Sequence, residues 1–256
     1  MRYRKGYIAL SDTRDVPLLL TIRNARAITY DQICSLALVE GQESSRRSVH
    51  WRLTRLESCE LIQRLEFDRF FSQPIFAITP LGLQFLESRG HSLLSLPATV
   101  KEVVRKSQIL HSVELTALRV ALATKGILKS WKWELEIVST NLVYEAVRTK
   151  DYDALAEILV DGKMRSFGIE FERTLKGAGR YKELRRAFRS DAAVDRVLYL
   201  TPNTEILYVL AIEMRDVGKP IGFALSRRFQ AELLEASILT NSSGNEVVSF
   251  RDFLLQ

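Results

Sequence analysis

Apolar positions in the first third of the chain recur with the spacing of helices and then with the spacing of strands. Helices are predicted over about 16–24, 30–38 and 45–58, because apolar side chains fall three and four positions apart behind residues that cap helices. Strand-like runs follow at 61–67 and 75–78. Thr79 followed by Pro80 then predicts the start of a helix, with Thr79 as its N-cap and Pro80 as its first residue. The pattern therefore predicts helices, a hairpin and one further helix.

This order of elements is typical of a winged helix-turn-helix, in which the third helix enters the major groove of duplex DNA beside a hairpin wing. Arg52 to Arg64 resembles the end of a recognition helix that runs into the wing, and Ile78 to Leu86 resembles the exit from the wing. The predicted third helix carries four arginines that we expect to lie on its surface and contact DNA: Arg46, Arg47, Arg52 and Arg55. Two alternatives stay open, namely three packed helices with a solvated basic face, and a winged helix that binds protein.

The rest of the chain alternates strands and helices after a long helix predicted over 99–124. The predicted strands are 132–138, 153–160, 164–172, 196–200 and 221–225, and the predicted helices are 142–149, 179–190, 205–215 and 228–236. Asp161 and Gly162 predict a tight turn between the second and third of these strands. A hairpin followed by β-α-β units predicts a mixed sheet with helices on both faces. We therefore expect an α+β or α/β chain with domains at 1–96 and 97–256.

Three acids fall on the predicted hairpin of the second domain. Glu170 and Glu172 are two positions apart and point the same way, and Asp153 begins the strand that the turn folds back beside them. Carboxylates gathered in this way repel one another unless a cation lies among them, and oxygen ligands suit Mg²⁺ or Mn²⁺. The alternative is that Glu170 and Glu172 lie on the solvent-exposed face of an amphipathic strand. A strand between a hairpin partner and a β-α-β unit is central, however, and a central strand disfavours unpaired acids.

Charge is concentrated directly after these acids. The 256 residues include 37 Lys and Arg against 31 Asp and Glu, a formal net charge of +6. Residues 173–189 hold seven basic residues and one acid, so this segment accounts for the whole surplus. Lys182, or less favourably Lys176, is a candidate for the cation that stabilises a transition state. The expected DNA contacts of the segment are Lys176, Arg180, Lys182, Arg185 and Arg186, against the alternative of a solvated charged helix.

Composition excludes several classes of protein. Two cysteines, Cys34 and Cys59, cannot build a disulfide framework or a four-cysteine zinc site. The three histidines never form the H-x-H or H-E-x-x-H spacing of histidine metal clamps. We find no apolar run that reaches the length of a membrane span and no apolar segment of a signal peptide after the basic start. We therefore expect a cytoplasmic protein without membrane partners.

Four segments together resemble the replication-relaxation family of plasmid and mobile-element proteins, which is similar to the MobC-type conjugative relaxases. The segments are His111 to Ala123, Asp151 to Ile158, Ile169 to Thr174 and Arg180 to Phe188. The resemblance implies a winged helix followed by a domain like the PD-(D/E)XK nucleases.

Several residue roles follow from this resemblance alone. Asp153 matches the aspartate of the nuclease motif, with Tyr152 where proline is usual. Glu170 matches the second acid, and Glu172 stands at the usual lysine position, as in an E-x-E variant. Glu114 matches an acid that some such nucleases place on their first core helix, and His111 lies on the same helix face. The resemblance thus implies the metal ligands Asp153, Glu170, Glu172 and Glu114, and it leaves open which cation assists them.

The expected function is a metal-dependent endonuclease or relaxase that nicks DNA at a plasmid transfer or replication origin. Water activated by Mg²⁺ or Mn²⁺ would be the nucleophile; covalent attack by a tyrosine, with Tyr181 nearest to the acids, is a second mechanism. Expected partners are double-stranded DNA, with single-stranded DNA and other mobilisation or replication proteins as further candidates, for a monomer or homodimer. The alternative function is a plasmid replication or transcription regulator with an inactive nuclease fold.

Overall fold

The computed structural model describes residues 10–66, 72–102, 104–144, 149–215, 217–241 and 246–256. By their contacts, these residues divide into two compact units. The first consists of the described residues up to Ser92 together with those of Pro97–Ile109, and the second consists of those of Leu93–Leu96 and Leu110–Gln256.

The first unit packs helices around a small antiparallel sheet. Its elements are α1 (Asp15–Ala25), β1 (Ile28–Thr29), α2 (Tyr30–Val39), α3 (Arg46–Ser58), β2 (Ile62–Leu65), β3 (Ile75–Ile78) and α4 (Pro80–Glu87). The strand order is β1-β3-β2, and both pairs are antiparallel. The predicted helices and hairpin are confirmed to within a few residues at their ends, whereas β1 was not predicted. Position 67 of the predicted first strand lies outside the described residues.

Side-chain caps fix the helix starts of this unit. The Thr29 hydroxyl accepts a hydrogen bond from the Gln32 amide, and the Gln32 side chain accepts one from the Thr29 amide. The Ser45 hydroxyl accepts from Ser48, and the Thr79 hydroxyl accepts from Gly82. These bonds satisfy backbone N–H groups that a helix leaves unpaired at its N-terminus. Because each cap lies within three residues of its partner, the sequence alone encodes it.

The second half of the chain is built on a seven-stranded mixed sheet among the described residues. Its strands are β4 (Leu128–Trp133), β5 (Ala154–Val160), β6 (Lys163–Phe171), β7 (Val197–Thr201), β8 (Ile221–Leu225), β9 (Ser237–Thr240) and β10 (Val247–Ser249). Its helices are α5 (Lys106–Thr124), α6 (Glu134–Val143), α7 (Ala178–Ser190), α8 (Thr204–Glu213), α9 (Ser226–Glu232) and α10 (Phe250–Leu255). The order is β10-β9-β8-β7-β6-β5-β4, with β6–β7 and β7–β8 parallel. Strand β6 is therefore central, as the sequence predicts.

Helices cover both faces of this sheet, which confirms the predicted mixed α and β architecture. On one face, Phe188 of α7 lies edge-on to Tyr199 of β7, with a ring-centroid distance of 6.2 Å. On the other face, the Phe250 ring of α10 contacts Phe167 of β6 at 5.3 Å and Phe229 of α9 at 4.8 Å. Each face is therefore sealed by aromatic side chains, and the middle of β6 is closed to water.

Six elements of the predicted second domain were misplaced or missing. The predicted strand 132–138 and helix 142–149 were misplaced, because β4 ends at Trp133 and α6 already begins at Glu134. The Glu136 side chain accepts a hydrogen bond from the Trp133 amide, which starts α6 inside a stretch whose apolar residues alternate as in a strand. Positions 145–148 of that predicted helix lie outside the described residues. The long helix begins at Lys106 instead of 99, and β9, β10 and α10 were not predicted.

Within the described residues, we find no helix with the length and apolar content needed to cross a bilayer. Both cysteines carry free thiols; Cys34 is buried, and Cys59 is half-buried.

Candidate functional site

Asp153 and Glu170 lie beside each other where the β5–β6 hairpin opens. Strand β5 pairs with β6 in a register that places Ala154 opposite Ile169, so the next positions are Asp153 and Glu170. The Phe171 amide donates a hydrogen bond of 2.6 Å to Oδ2 of Asp153. The Asp153 carboxylate thus takes the place of a backbone acceptor at the end of the ladder, which holds it beside β6. The expectation that the tight turn brings these two acids together agrees with this register.

The other carboxylate oxygen of Asp153 faces a histidine from α5. Nε2 of His111 lies 3.3 Å from Oδ1 of Asp153, and the His111 ring stands edge-on to Phe171 at 5.8 Å. Burial disfavours a charge on His111, but the Asp153 carboxylate outweighs this effect and raises the pKa of His111. Burial likewise opposes the charge on Asp153, but the His111 imidazolium and the Phe171 amide hold the pKa of Asp153 below its usual range. The structure thus gives His111 a partner in the site.

Glu170 is buried and carries its own cation. It is 7% exposed, and its carboxylate forms an ion pair with Nζ of Lys150. The same Nζ lies 4.6 Å from the ring centroid of Tyr152 and 4.8 Å from that of Phe188, within the range of cation–π attraction. Burial raises the pKa of Glu170 to about 7 despite the opposing effect of Lys150, and the neighbouring Asp153 charge adds to the rise. Lys150 is a member of the site that sequence reasoning missed.

The other two expected metal ligands are held by basic side chains of their own. Glu172, 5% exposed, pairs with Lys176, four residues further along the chain. Glu114 of α5 pairs with Arg173. The backbone amide of Lys176 donates a hydrogen bond of 3.0 Å to the Tyr181 hydroxyl, so Lys176 is fixed by α7 as well as by Glu172.

The residues present fit a Mg²⁺ or Mn²⁺ ion at two carboxylates instead of four. Among the residues that the structure describes, no three His, Cys, Asp or Glu side chains form a group that could hold a metal ion. The four-acid set expected from the sequence is therefore not assembled as one group. Mg²⁺, however, usually takes one or two protein carboxylates and completes its shell with water and substrate phosphates. Asp153 and Glu170 supply such a pair, and a buried Tyr199 hydroxyl beside them has no hydrogen-bond partner in the described chain.

Lys182, the expected assisting cation, does not lie among these acids. It is exposed on α7 and makes no ion pair with any described residue. The buried face of α7 is formed by Tyr181, Leu184 and Phe188, so a side chain one position after Tyr181 is directed away from the sheet. The cations that contact Glu170 and Glu172 are Lys150 and Lys176, and the catalytic role of Lys182 stays a prediction.

The basic residues of α7 differ in how far they are free to bind an anion. Lys182 and Arg186 are exposed, and neither forms an ion pair within the described residues. Arg180 forms a surface pair with Glu183. Arg185 is half-buried and donates to both the carbonyl and the carboxylate of Glu213, at 2.8 and 2.7 Å. The outer surface of α7 is therefore cationic at Lys182 and Arg186, whereas Arg185 is engaged in packing.

Two of the four arginines that were expected on the exposed surface of α3 do not lie on that surface. Arg52 is 5% exposed and pairs with Asp15 at 3.0 Å and with Glu43. Arg55 pairs with the second oxygen of Asp15. The expectation that Arg52 and Arg55 contact DNA is therefore corrected, because buried acids that are distant in the sequence already bind them.

The exposed side of α3 carries the other two arginines and an aromatic pair that sequence reasoning missed. Arg46 is exposed, pairs with Asp31 and lies over the Tyr30 ring, and Arg47 is exposed. His50 and Trp51 follow one turn later, and Trp51 is 47% exposed. The signal that could have found them is the position of the buried residues Val49 and Leu53, which assigns the opposite side of the helix to solvent.

Comparison with known proteins yields one match. A protein-family model described as "Replication-relaxation" matches residues 19–192, about two thirds of the chain. No curated protein sequence and no solved structure matches the chain.

Proposed function

Since the chain belongs to the replication-relaxation family, we propose that it acts in the replication or transfer of a plasmid as a DNA-binding protein that cuts one DNA strand. The proposed cutting site is the carboxylate pair Asp153 and Glu170, and the proposed recognition element is α3 of the first unit. The observation that carries the proposal is the pair itself: the buried Glu170 and the half-buried Asp153 lie side by side, with one lysine and one histidine beside them.

The acids are of the type that a divalent cation requires. Two carboxylates held side by side, one buried and one half-buried, cannot both stay charged at low cost unless a cation compensates them. Mg²⁺ or Mn²⁺ bound to Asp153 and Glu170 would supply water with a lowered pKa and would stabilise charge on a phosphodiester. In this proposal the second unit is like the PD-(D/E)XK nucleases, with Asp153 as the first acid and Glu170 as the second.

The chain's own residues have separate tasks in this proposal. The Phe171 amide and His111 fix the orientation of Asp153. Lys150 holds the Glu170 carboxylate in place and keeps a positive charge at the site, where it can face the negative charge of a phosphate. Lys176 does the same for Glu172. The paired aromatic rings around Lys150 keep water away from its ammonium group, which strengthens its attraction to an anion.

The proposed DNA contacts come from two helices. In the first unit, helices α1 to α3 followed by the β2–β3 hairpin have the order of a winged helix, and α3 presents Arg46, Arg47, His50 and Trp51 to solvent. In the second unit, Lys182 and Arg186 of α7, which pair with no described acid, offer positive charge to the phosphate backbone.

Relaxation of a supercoiled plasmid tests the nicking function. The protein is incubated with plasmid that carries the transfer or replication origin of its own element, with Mn²⁺ or with EDTA. We expect conversion to the open-circular form with Mn²⁺ only, and loss of this activity in Asp153→Asn and Glu170→Gln. The control Glu183→Gln changes an exposed acid of α7 and should keep full activity. DNA that carries covalently bound protein after SDS treatment would contradict the water mechanism and favour attack by a tyrosine.

A second candidate function is a DNA-binding regulator without nuclease activity. It is favoured by the observation that Glu170, Glu172 and Glu114 each pair with a basic side chain, so that charge is balanced without a metal. Sequence-specific binding to the origin region, with no nick under Mg²⁺, Mn²⁺ or other divalent ions, would favour this candidate. The same plasmid assay therefore separates the two functions.

A further inference from the structure

Tyr199 of β7 has a buried hydroxyl group without a hydrogen-bond partner in the part of the chain that the structure describes. The residue is 1% exposed, and no described residue accepts from or donates to its oxygen. Its ring is fixed, because it stacks on Phe223 at 5.9 Å and stands edge-on to Phe188 at 6.2 Å. A buried hydroxyl without a partner costs about 1–3 kcal/mol of stability. A rigid ring that holds such a group in one position leaves it available for a ligand, because no described residue binds it.

The hydroxyl lies at the carboxylate site. Strands β6 and β7 pair in a register that places Tyr199 beside Glu170, and paired residues of neighbouring strands direct their side chains to the same face. Burial first, and then the charges of Glu170, Glu172 and Asp153, raise the pKa of Tyr199. The phenol therefore stays protonated and can donate a hydrogen bond.

Two other tyrosines of the same core show what the ordinary arrangement is. Tyr152, fully buried on the same face, donates its hydroxyl to Asp191 at 2.8 Å. Tyr181, 2% exposed, accepts from the backbone amide of Lys176. Both oxygens are satisfied within the chain, whereas that of Tyr199 has no partner among the described residues. The difference leaves the Tyr199 hydroxyl available for a group that binds at the site.

We propose that Tyr199 is a positioning residue of the carboxylate site, whose hydroxyl donates a hydrogen bond to a water molecule held at Asp153 and Glu170 when a divalent cation is bound. A water molecule suits the place because a side chain that is 1% exposed leaves no path for a bulky ligand. For the same reason Tyr199 is not a nucleophile toward DNA. The inference rests on the proposed function, because it assumes that the cation binds at these acids.

Tyr199→Phe tests the inference, since it removes the oxygen and keeps the ring. In EDTA, the Tm of the variant should equal or exceed that of the wild type, because an unsatisfied polar group is lost. In a calorimetric titration with Mn²⁺ alone, its Kd should rise about tenfold, the lower end of the effect seen when a group that supports a metal site is removed.

Tyr208→Phe is the control. It removes the hydroxyl of an exposed tyrosine of α8 and should change neither the Tm in EDTA nor the Mn²⁺ affinity. If Tyr199→Phe instead lowers the Tm and leaves the Mn²⁺ affinity unchanged, Tyr199 is only structural and the inference is wrong. Asp153→Asn and Glu170→Gln separate this failure from that of the proposed function. If these two variants bind Mn²⁺ like the wild type, the carboxylate site itself is wrong; if they alone lose Mn²⁺, only the role of Tyr199 is wrong.

Discussion

Lys150 and Glu170 form an ion pair that is almost closed to solvent, with side-chain exposures of 7% and 9%. The two residues lie 20 positions apart, one before β5 and the other near the end of β6. Their attraction compensates the loss of water around both charges only while both partners are present. The Tyr152 and Phe188 rings beside Nζ leave no room for a replacement cation from solvent on that side.

Removal of the lysine charge should therefore destabilise the protein. We expect Lys150→Met to lower the free energy of unfolding by about 3 kcal/mol, because Glu170 is left as a buried carboxylate without its partner. Urea denaturation in EDTA measures the change. Lys182→Met is the control, since the exposed Lys182 makes no ion pair with described residues, and its effect should stay within about 0.5 kcal/mol. Equal stability of the two variants would mean that the buried pair does not form.

Gly168 of β6 is required by the ring of Tyr152. A Cβ atom at this position would lie 2.6 Å from a carbon of that ring, which is too close for any side chain. Gly168→Ala should lower the free energy of unfolding by about 1–3 kcal/mol, because the fixed ring or the strand must shift. Gly179→Ala is the comparison, since no atom lies within 4 Å of its Cβ and α7 should gain up to about 1 kcal/mol. Thermal denaturation of both variants measures the difference; a harmless Gly168→Ala would show that Tyr152 moves freely.

The parts of the fold that the sequence predicts are those encoded by near neighbours. Thr29, Ser45 and Thr79 cap their helices through residues three positions away, and the Asp161-Gly162 turn closes the β5–β6 hairpin with both residues at positive φ. The central place of β6 follows from the order of hairpin and β-α-β units. By contrast, residues Glu134 to Ile137 alternate polar and apolar side chains as a strand does, but they begin a helix. The hydrogen bond from the Trp133 amide to the Glu136 side chain favours a helix start at this point.

The parts of the candidate site that could not be predicted depend on partners that are distant in the sequence. Arg52 looks like a surface residue of an amphipathic helix, yet Asp15, 37 positions earlier, binds it in the core. Lys150 and Tyr199 carry no motif of their own. Their roles arise because β5, β6 and β7 lie side by side and bring them to Glu170. Sequence reasoning found the two acids, whose type and spacing are informative, and missed the residues around them.

Asp191 should contribute stability that depends on pH. Burial opposes its charge, but the Lys219 ammonium, the Tyr152 hydroxyl and the Lys150 amide outweigh this effect and lower the pKa of Asp191. A carboxyl whose pKa is lower in the folded state stabilises the protein above its unfolded pKa of about 4, and this contribution is lost as the pH falls through the folded value.

Asp191→Asn tests this contribution. At pH 7 it should lower the free energy of unfolding by about 2 kcal/mol, since hydrogen bonds to a charged group are lost. The difference from the wild type should shrink below about pH 4. Denaturant titrations between pH 7 and pH 3 measure it, with Asp195→Asn, a nearby exposed acid, as a control that should show no such trend. A difference that persists at pH 3 would contradict the assigned pKa direction.

Arg47 and Arg52 should separate DNA binding from folding in the first unit. Arg52→Met leaves Asp15 and Glu43 without their shared cation and should lower the free energy of unfolding by about 3–5 kcal/mol. Arg47→Ala changes an exposed side chain, so the Tm should stay constant while duplex DNA binds less tightly and the slope of log K against log salt falls by about one. Fluorescence anisotropy with labelled duplex, beside thermal denaturation, measures both effects. Unchanged DNA binding in Arg47→Ala would remove α3 from the proposed interface.

The exposed cations of α7 should bind the phosphate backbone of DNA. Lys182→Ala/Arg186→Ala removes two charges that no described acid neutralises, and we expect weaker DNA binding with a salt slope reduced by about two. Lys125→Ala/Lys129→Ala removes the same charge from two other exposed positions and should leave the slope nearly unchanged. Arg185→Ala should behave differently from both, because it loses the bonds to Glu213 and thereby lowers the Tm.

Anisotropy titrations between 50 and 200 mM salt separate these outcomes, because phosphate contacts change the affinity by orders of magnitude over this range. If the two double variants weaken binding equally, the effect is one of overall charge and α7 has no special part in DNA recognition.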